Sequence, residues 1–144
     1  MPDTCDTMRH GSRLRIAVAE DETLLRDFYS MALTHLGHEV VAVTTNGEEL
    51  VKVCDQMSPD LIISDVELPG MTGPEAVAVI RRKHPVAAIY VTETPGEDEA
   101  CSNADRGVVL AKPFMMSDLT SVIQQAMATK PSCIDQSGCS PQWR

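Results

Sequence analysis

The sequence has few aromatic residues and few positive charges. Phe, Tyr and Trp make up only 3% of the 144 residues, so we expect a core of aliphatic side chains and methionine. Lys and Arg number 12 against 21 Asp and Glu, which gives a net charge of −9. This balance disfavours direct binding of nucleic acid or an anionic membrane, because such surfaces need clustered cations. The acidity suits a divalent cation or a basic partner, or serves solubility alone.

The sequence also lacks a long apolar run and a paired-cysteine motif. No stretch approaches the ~20 apolar residues of a membrane span, and no secretory-type segment begins the chain. The five cysteines are odd in number and form no CxxC motif: Cys5, Cys54, Cys101, Cys133 and Cys139. We therefore expect reduced thiols and a cytoplasmic location. A metal site at Cys133 and Cys139 is disfavoured because no histidine is nearby in sequence.

Short apolar segments alternate with segments of helical periodicity. The apolar segments predict five strands, at residues 14–19, 39–44, 61–64, 87–91 and 108–111. The periodic segments predict helices at residues 21–36, 46–57, 72–84 and 117–127, with a short or frayed helix at 97–107. Thr72 and Glu75 have the spacing of a capping box, and Asn46 with Glu49 has that of an N-cap pair. This alternation predicts one α/β domain whose parallel, doubly wound sheet is covered by helices on both faces.

Polar side chains follow four of the predicted strands. Glu20 and Asp21 follow the first strand, Asp65 the third, Thr92 the fourth and Lys112 the fifth. Because parallel strands end at the same edge of a sheet, we expect these side chains to converge. Clustered carboxylates repel one another, and a hard divalent cation such as Mg²⁺ relieves that repulsion. The site therefore suits phosphoryl transfer to a carboxylate nucleophile.

Each of these residues has a simpler explanation when it is taken alone. Acidic residues such as Glu20 and Asp21 are favoured at the start of a helix by the helix dipole. Asp65 could cap the turn that follows it, and Lys112 could be an ordinary surface lysine. A coincidence of five such residues at the ends of four strands is hard to accept, so we favour the functional interpretation.

Four short motifs resemble those of the receiver domains of two-component response regulators. The motifs are AVAEDE at residues 17–22, SDVELPGMTG at 64–73, YVTE at 90–93 and AKPF at 111–114. They occur in the order typical of the family, and the resemblance covers roughly residues 14–128. It implies a five-stranded, flavodoxin-like receiver domain at residues 14–129, and we expect flexible tails at 1–13 and 130–144.

The resemblance implies a role for each matching residue. Asp65 would accept a phosphoryl group from a phosphohistidine of a histidine kinase or phosphotransfer protein. Glu20, Asp21 and Asp65 would hold Mg²⁺, together with the backbone carbonyl of Glu67. Thr92 would hydrogen-bond the phosphoryl group.

Lys112 would pair with Asp65 and then with a phosphoryl oxygen, and the Lys112–Pro113 peptide would be cis. Two departures from the family pattern stand out. Glu93 replaces the small residue that usually follows the Thr, and Val109 stands where an aromatic switch residue is usual. We expect Glu93 to slow or weaken phosphorylation, and Val109 has no ring to provide the usual coupling to the Thr.

The favoured function is a single-domain response regulator that switches contacts with an unknown downstream protein, since residues 131–144 are too short for an output module. It would take part in its own phosphorylation without being a metabolic enzyme. One alternative is a pseudo-receiver, a binding module that is little phosphorylated. A less favoured one is a small phosphatase, because Asp65-Val66-Glu67 loosely resembles the DxD motif of Asp-nucleophile phosphatases. A flavin-binding module is disfavoured because the first loop is acidic.

Overall fold

The structure is a computed structural model, and it describes residues 13–93 and 107–128. The strands of the described chain are β1 (Arg15–Ala19), β2 (Glu39–Thr44), β3 (Leu61–Asp65), β4 (Ala87–Thr92) and β5 (Gly107–Ala111). Its helices are α1 (Thr23–His35), α2 (Gly47–Met57), α3 (Gly73–Ile80) and α4 (Met116–Ala128). The helix expected at 97–107 lies, except for Gly107, outside the described residues, as do nearly all residues of the two expected tails. None of the described helices is long and apolar enough to cross a lipid bilayer.

The five strands form one parallel sheet in the order β2-β1-β3-β4-β5. The chain moves outward from β1 to β2 and then returns to place β3 on the other side of β1. This reversal leaves a crevice at the carboxyl ends of β1 and β3, which is where open α/β sheets bind their ligands. The predicted doubly wound fold is therefore confirmed.

Helices cover both faces of the sheet, and each face has its own apolar core. On one face of the sheet, α1 and α4 pack against buried side chains of the central strands, including Ile16, Ile63 and Ile89. The other core joins α2 and α3 to the opposite face, including Ile62 and Tyr90. The central strands are almost wholly buried, as expected for strands covered on both sides.

Local sequence signals account for three of the eight boundaries of the described helices. Asn46 accepts a hydrogen bond from the Glu49 backbone N–H at 2.8 Å, so the predicted N-cap begins α2. Thr72 and Glu75 bond to each other's backbone N–H, so the predicted capping box begins α3. Gly37 has φ +94°, a conformation that suits glycine just after the end of α1.

The end of α3 corrects the prediction of a helix that reaches His84. The α-helix ends at Ile80, and the backbone N–H groups of Arg82 and Lys83 donate to carbonyls only three residues earlier. The Arg81 side chain also donates to the carbonyl of Val86 at 3.1 Å, which ties the turn to the start of β4. A tightened last turn, held by this tertiary contact, therefore replaces continued α-helix.

Candidate functional site

Three carboxylates meet at the carboxyl ends of β1 and β3. Oxygens of Glu20, Asp21 and Asp65 all lie within 4.8 Å of one another. Glu20 follows β1 directly and is only 1% exposed, whereas Asp65 is the last residue of β3 and is half-buried. The sheet order explains this meeting, because β1 and β3 are neighbours in the sheet although 45 positions separate Glu20 from Asp65.

Lys112 supplies the positive charge next to these carboxylates. Its Nζ lies 3.3 Å from Asp65 Oδ1 and 3.8 Å from Glu20 Oε1, and its side chain is 14% exposed. Lys112 follows β5, and its backbone N–H donates to the carbonyl of Thr92 at the end of β4. The Lys112–Pro113 peptide is cis, as the resemblance implied.

Burial and the neighbouring charges shift the pKa values of Glu20, Asp65 and Lys112. Burial, helped by the charge of Asp65, raises the pKa of Glu20 to about 7. Burial also raises the pKa of Asp65, although the ammonium of Lys112 opposes that change. For Lys112, burial lowers the pKa, but the carboxylates of Asp65 and Glu20 more than offset this effect and leave the pKa raised. Negative charge is therefore in excess, even with Lys112 in place.

A tight loop fixes the backbone that carries Asp65. Ser64 donates from its hydroxyl to the Asp65 carbonyl at 2.8 Å, and the Gly73 N–H donates to the Val66 carbonyl at 2.9 Å. A Cβ added at Gly73 would collide with the Asp65 carbonyl oxygen and lie 2.6 Å from Ser64 Oγ. Gly73 therefore lets the start of α3 close against the end of β3.

The predicted site residues line one polar pocket of about 380 Å³. Its walls are Glu20, Asp21, Glu22, Asp65, Glu67, Thr92, Glu93 and Lys112. The structure thus brings together all of the predicted residues. Thr92 is 6% exposed and ends β4, whereas Glu67 is exposed in the loop after β3.

Sequence reasoning missed two features beside this pocket. Arg26 on α1 donates to the backbone carbonyl of Glu20 at 3.1 Å, which braces the loop after β1. A second, mainly apolar pocket of about 580 Å³ adjoins the first, lined by Leu25, Phe28, Glu93, Lys112, Pro113 and Phe114. The rings of Phe28 and Phe114 meet edge to face with centroids 5.8 Å apart. The three-residue spacing of Leu25 and Phe28 on α1 was the available signal for this pocket.

The donor set of the polar pocket fits a magnesium ion. Glu20 Oε1 is buried and accepts no hydrogen bond in the described chain, and the Lys112 ammonium 3.8 Å away is too distant to satisfy it, so this oxygen can serve as a metal ligand. The carboxylates of Asp21 and Asp65 offer further hard oxygen atoms within 4.8 Å. Mg²⁺ prefers oxygen ligands of this kind and often retains water and phosphate oxygens in its shell.

Residues 16–124 match the sequence profile of a protein family, the response regulator receiver domain. The chain belongs to this family. The receiver domain of two-component signalling, predicted from the four motifs, is therefore confirmed.

Similar proteins include regulators of different length. The transcriptional regulatory protein PdtaR of Mycobacterium tuberculosis is 33% identical over 116 residues, which cover 79% of this chain and 57% of PdtaR. This chain therefore spans a little over half the length of that relative. The chemotaxis protein CheY of Listeria monocytogenes is 28% identical over 116 residues, which cover 78% of this chain and 98% of CheY.

A similar solved structure contains the expected metal. It is the receiver domain of the sensor histidine kinase PA1611 from Pseudomonas aeruginosa, described with a magnesium ion coordinated in its active site cleft. It is 26% identical and has a TM-score of 0.73, and the match covers 81% of this chain and 98% of that one.

Proposed function

We propose that this chain accepts a phosphoryl group on Asp65 and thereby switches its contacts with a downstream protein. The observation that carries the proposal is the position of Lys112 Nζ, 3.3 Å from Asp65 Oδ1 and beside two further carboxylates. An ammonium in this position orients the nucleophile and then meets a phosphoryl oxygen. A cytoplasmic location and the absence of metabolic enzyme activity are parts of the same proposal.

Asp65, Lys112 and Thr92 have different roles in the proposed reaction. An oxygen of Asp65 forms a bond to phosphorus while the bond from phosphorus to the donor breaks, and the electron pair leaves with the donor. Lys112 and the hydroxyl of Thr92 hydrogen-bond the phosphoryl oxygens at the ends of β5 and β4.

Glu20, Asp21, Asp65 and the backbone carbonyl of Glu67 would hold Mg²⁺. When bound, the ion would offset the excess negative charge of the pocket and of the phosphoryl group.

The donor is a phosphohistidine of a histidine kinase or of a histidine phosphotransfer protein. Phosphorylation adds about −1.5 to −2 of charge and three acceptor oxygens at Asp65. The loop residues Glu93 and Lys112, and Thr92 at the end of β4, line the same pocket as Asp65. We propose that a shift of these loops changes the surface offered to the unknown partner protein.

The test is incubation with a small phosphodonor and Mg²⁺, followed by intact-mass measurement. Wild type should gain the mass of one phosphoryl group, and Asp65→Asn should gain none. Asp27→Asn is the matched control, because Asp27 is an exposed aspartate on α1 outside the polar pocket. Wild type that gains no mass would support the pseudo-receiver alternative instead.

A further inference from the structure

Glu93 lies where the polar pocket meets the apolar pocket. Within the described chain, Glu93 and Lys112 line both pockets, whereas every other lining residue belongs to one of them. Glu93 is exposed, so its carboxylate is accessible to an incoming molecule. A donor that brings phosphorus to Asp65 enters the polar pocket, and Glu93 lies at the border between that pocket and the apolar one.

Glu93 interacts electrostatically with Lys112, the residue that contacts the proposed nucleophile Asp65. Burial lowers the pKa of Lys112, whereas Asp65, Glu20 and, more weakly, Glu93 raise it. The charge of Glu93 is therefore felt at the ammonium that contacts Asp65. Lys112 is the only cationic side chain among the described residues that line the polar pocket. The carboxylates that line the polar pocket outnumber this single ammonium, so a leaving group that departs as an anion beside Glu93 meets an excess of negative charge.

We propose that Glu93 makes the site selective for phosphoryl donors in which phosphorus is bound to a protonated nitrogen heterocycle, which departs as a neutral ring, and against acyl phosphates. This inference rests on the proposed phosphoacceptor role of Asp65, and it names the substrate class that Glu93 favours. Glu93 acts here as a specificity-determining residue at the leaving-group side of the site.

The two donor classes differ in the charge that departs. With phosphoimidazole protonated on its distal nitrogen, the P–N bond breaks, the electron pair stays on the departing nitrogen, and neutral imidazole leaves. With acetyl phosphate, the P–O bond breaks, the electron pair stays on oxygen, and acetate leaves as an anion. In both reactions an Asp65 oxygen forms the new bond to phosphorus.

Glu93 distinguishes these donors by charge. Its carboxylate can accept a charge-assisted hydrogen bond from the N–H of the protonated heterocycle. The same carboxylate repels the negative charge that develops on a departing carboxylate. The planar heterocycle also suits the adjoining apolar pocket, whose walls include Phe28, Pro113 and Phe114.

The experiment compares initial rates of phosphorylation by phosphoimidazole and by acetyl phosphate at fixed pH, ionic strength and Mg²⁺ concentration. The variants are wild type, Glu93→Gln and Glu93→Ala. The matched control is Glu22→Gln, which removes one negative charge from the polar pocket but does not touch the apolar pocket. Intact mass at short times measures the phosphorylated fraction for each donor.

We expect the ratio of the phosphoimidazole rate to the acetyl phosphate rate to fall by about three- to tenfold in both Glu93 variants. Glu22→Gln should change this ratio less. Added salt should lower the ratio in wild type, because screening weakens the charge of an exposed carboxylate, and should change it little in Glu93→Gln.

Each contrary result has a distinct meaning. If all proteins are phosphorylated and the ratio is unchanged in both Glu93 variants, the donor selectivity is overturned while the phosphoacceptor role stands. An equal fall of the rate ratio in Glu22→Gln would also overturn the inference. The donor selectivity would then come from the total negative charge of the polar pocket and not from Glu93. If neither donor phosphorylates any variant, the proposed function fails and the inference fails with it.

Discussion

The ammonium of Lys112 contacts two carboxylates at once, at 3.3 Å from Asp65 Oδ1 and 3.8 Å from Glu20 Oε1. The same positive charge therefore serves the proposed nucleophile and competes with any cation that these carboxylates hold. Since the side chains of Glu20 and Asp65 are only 1% and 12% exposed, the competition is stronger than it would be at an exposed ion pair.

Replacing Lys112 by methionine should separate these two effects. We expect Lys112→Met to bind Mg²⁺ about two- to fivefold more tightly, because a competing cation is gone. The same variant should be phosphorylated at least about tenfold more slowly, because a donor to the phosphoryl oxygens is lost. Titration calorimetry with Mg²⁺ and intact-mass kinetics measure the two quantities.

Lys83→Met is the control for that experiment. Lys83 is exposed and pairs with Asp55 at 3.4 Å, outside the polar pocket. It should leave both quantities unchanged. Weaker Mg²⁺ binding in Lys112→Met would contradict the proposed competition between the ammonium and the metal.

The start of α3 should be intolerant of a side chain at Gly73. In Gly73→Ala the new methyl group would press on the Asp65 carbonyl, so the loop or the helix must move. We expect a loss of about 1–3 kcal/mol in the free energy of unfolding. Urea denaturation measures the loss, and a change within experimental error would mean that the loop relaxes freely.

The pH dependence of stability should depend in part on His38. Burial lowers the pKa of His38 from its ordinary value of 6.5, and its Nδ1 accepts a hydrogen bond from the Leu14 backbone N–H at 3.1 Å. Its contribution to stability is fully present above pH 6.5, where the ring is neutral in both states. Below that pH the unfolded chain binds the proton first, so stability is lost as the pH falls toward the lower folded pKa.

We therefore expect wild type to lose stability more steeply than His38→Gln between about pH 7 and pH 5. Denaturant titrations across this range measure the slope. Equal slopes in wild type and His38→Gln would rule out this role for His38.

The left-handed backbone at Ser58 offers a stabilising substitution. Ser58 has φ +48° just after α2, a region that is costly for residues with a Cβ, and Pro59 restricts it further. We predict that Ser58→Gly stabilises the domain by about 0.5–1 kcal/mol. Ser58→Ala, which keeps the Cβ, should give no such gain in thermal or chemical denaturation, and equal effects of the two substitutions would refute the prediction.

The sequence was informative about the strands and the site because short-range signals specify both. The apolar runs end at Ala19 and Ser64, and the polar residues that follow them, Glu20 and Asp65, meet because parallel strands share an edge. The N-cap at Asn46 and the capping box at Thr72 are also local signals, so the starts of α2 and α3 were predictable.

The remaining features depend on contacts between distant segments. The end of α3 at Ile80 is reinforced by a side-chain contact from Arg81 to Val86, which helical periodicity does not reveal. The apolar pocket needs Phe28 of α1 and Phe114 after β5 to pack together, and 86 positions separate them. Glu93 could be seen in the sequence as a departure from the family pattern, but its position between two pockets required the structure.

Chemical mapping of the phosphorylated residue tests the central proposal most directly. An aspartyl phosphate is reduced by borohydride to homoserine, and peptide mass spectrometry locates the converted residue. After treatment with phosphoimidazole and Mg²⁺, we predict homoserine at position 65 and at no other carboxylate. Phosphorylated protein with homoserine at another position, or with none, would contradict the assignment of Asp65 as the phosphoacceptor.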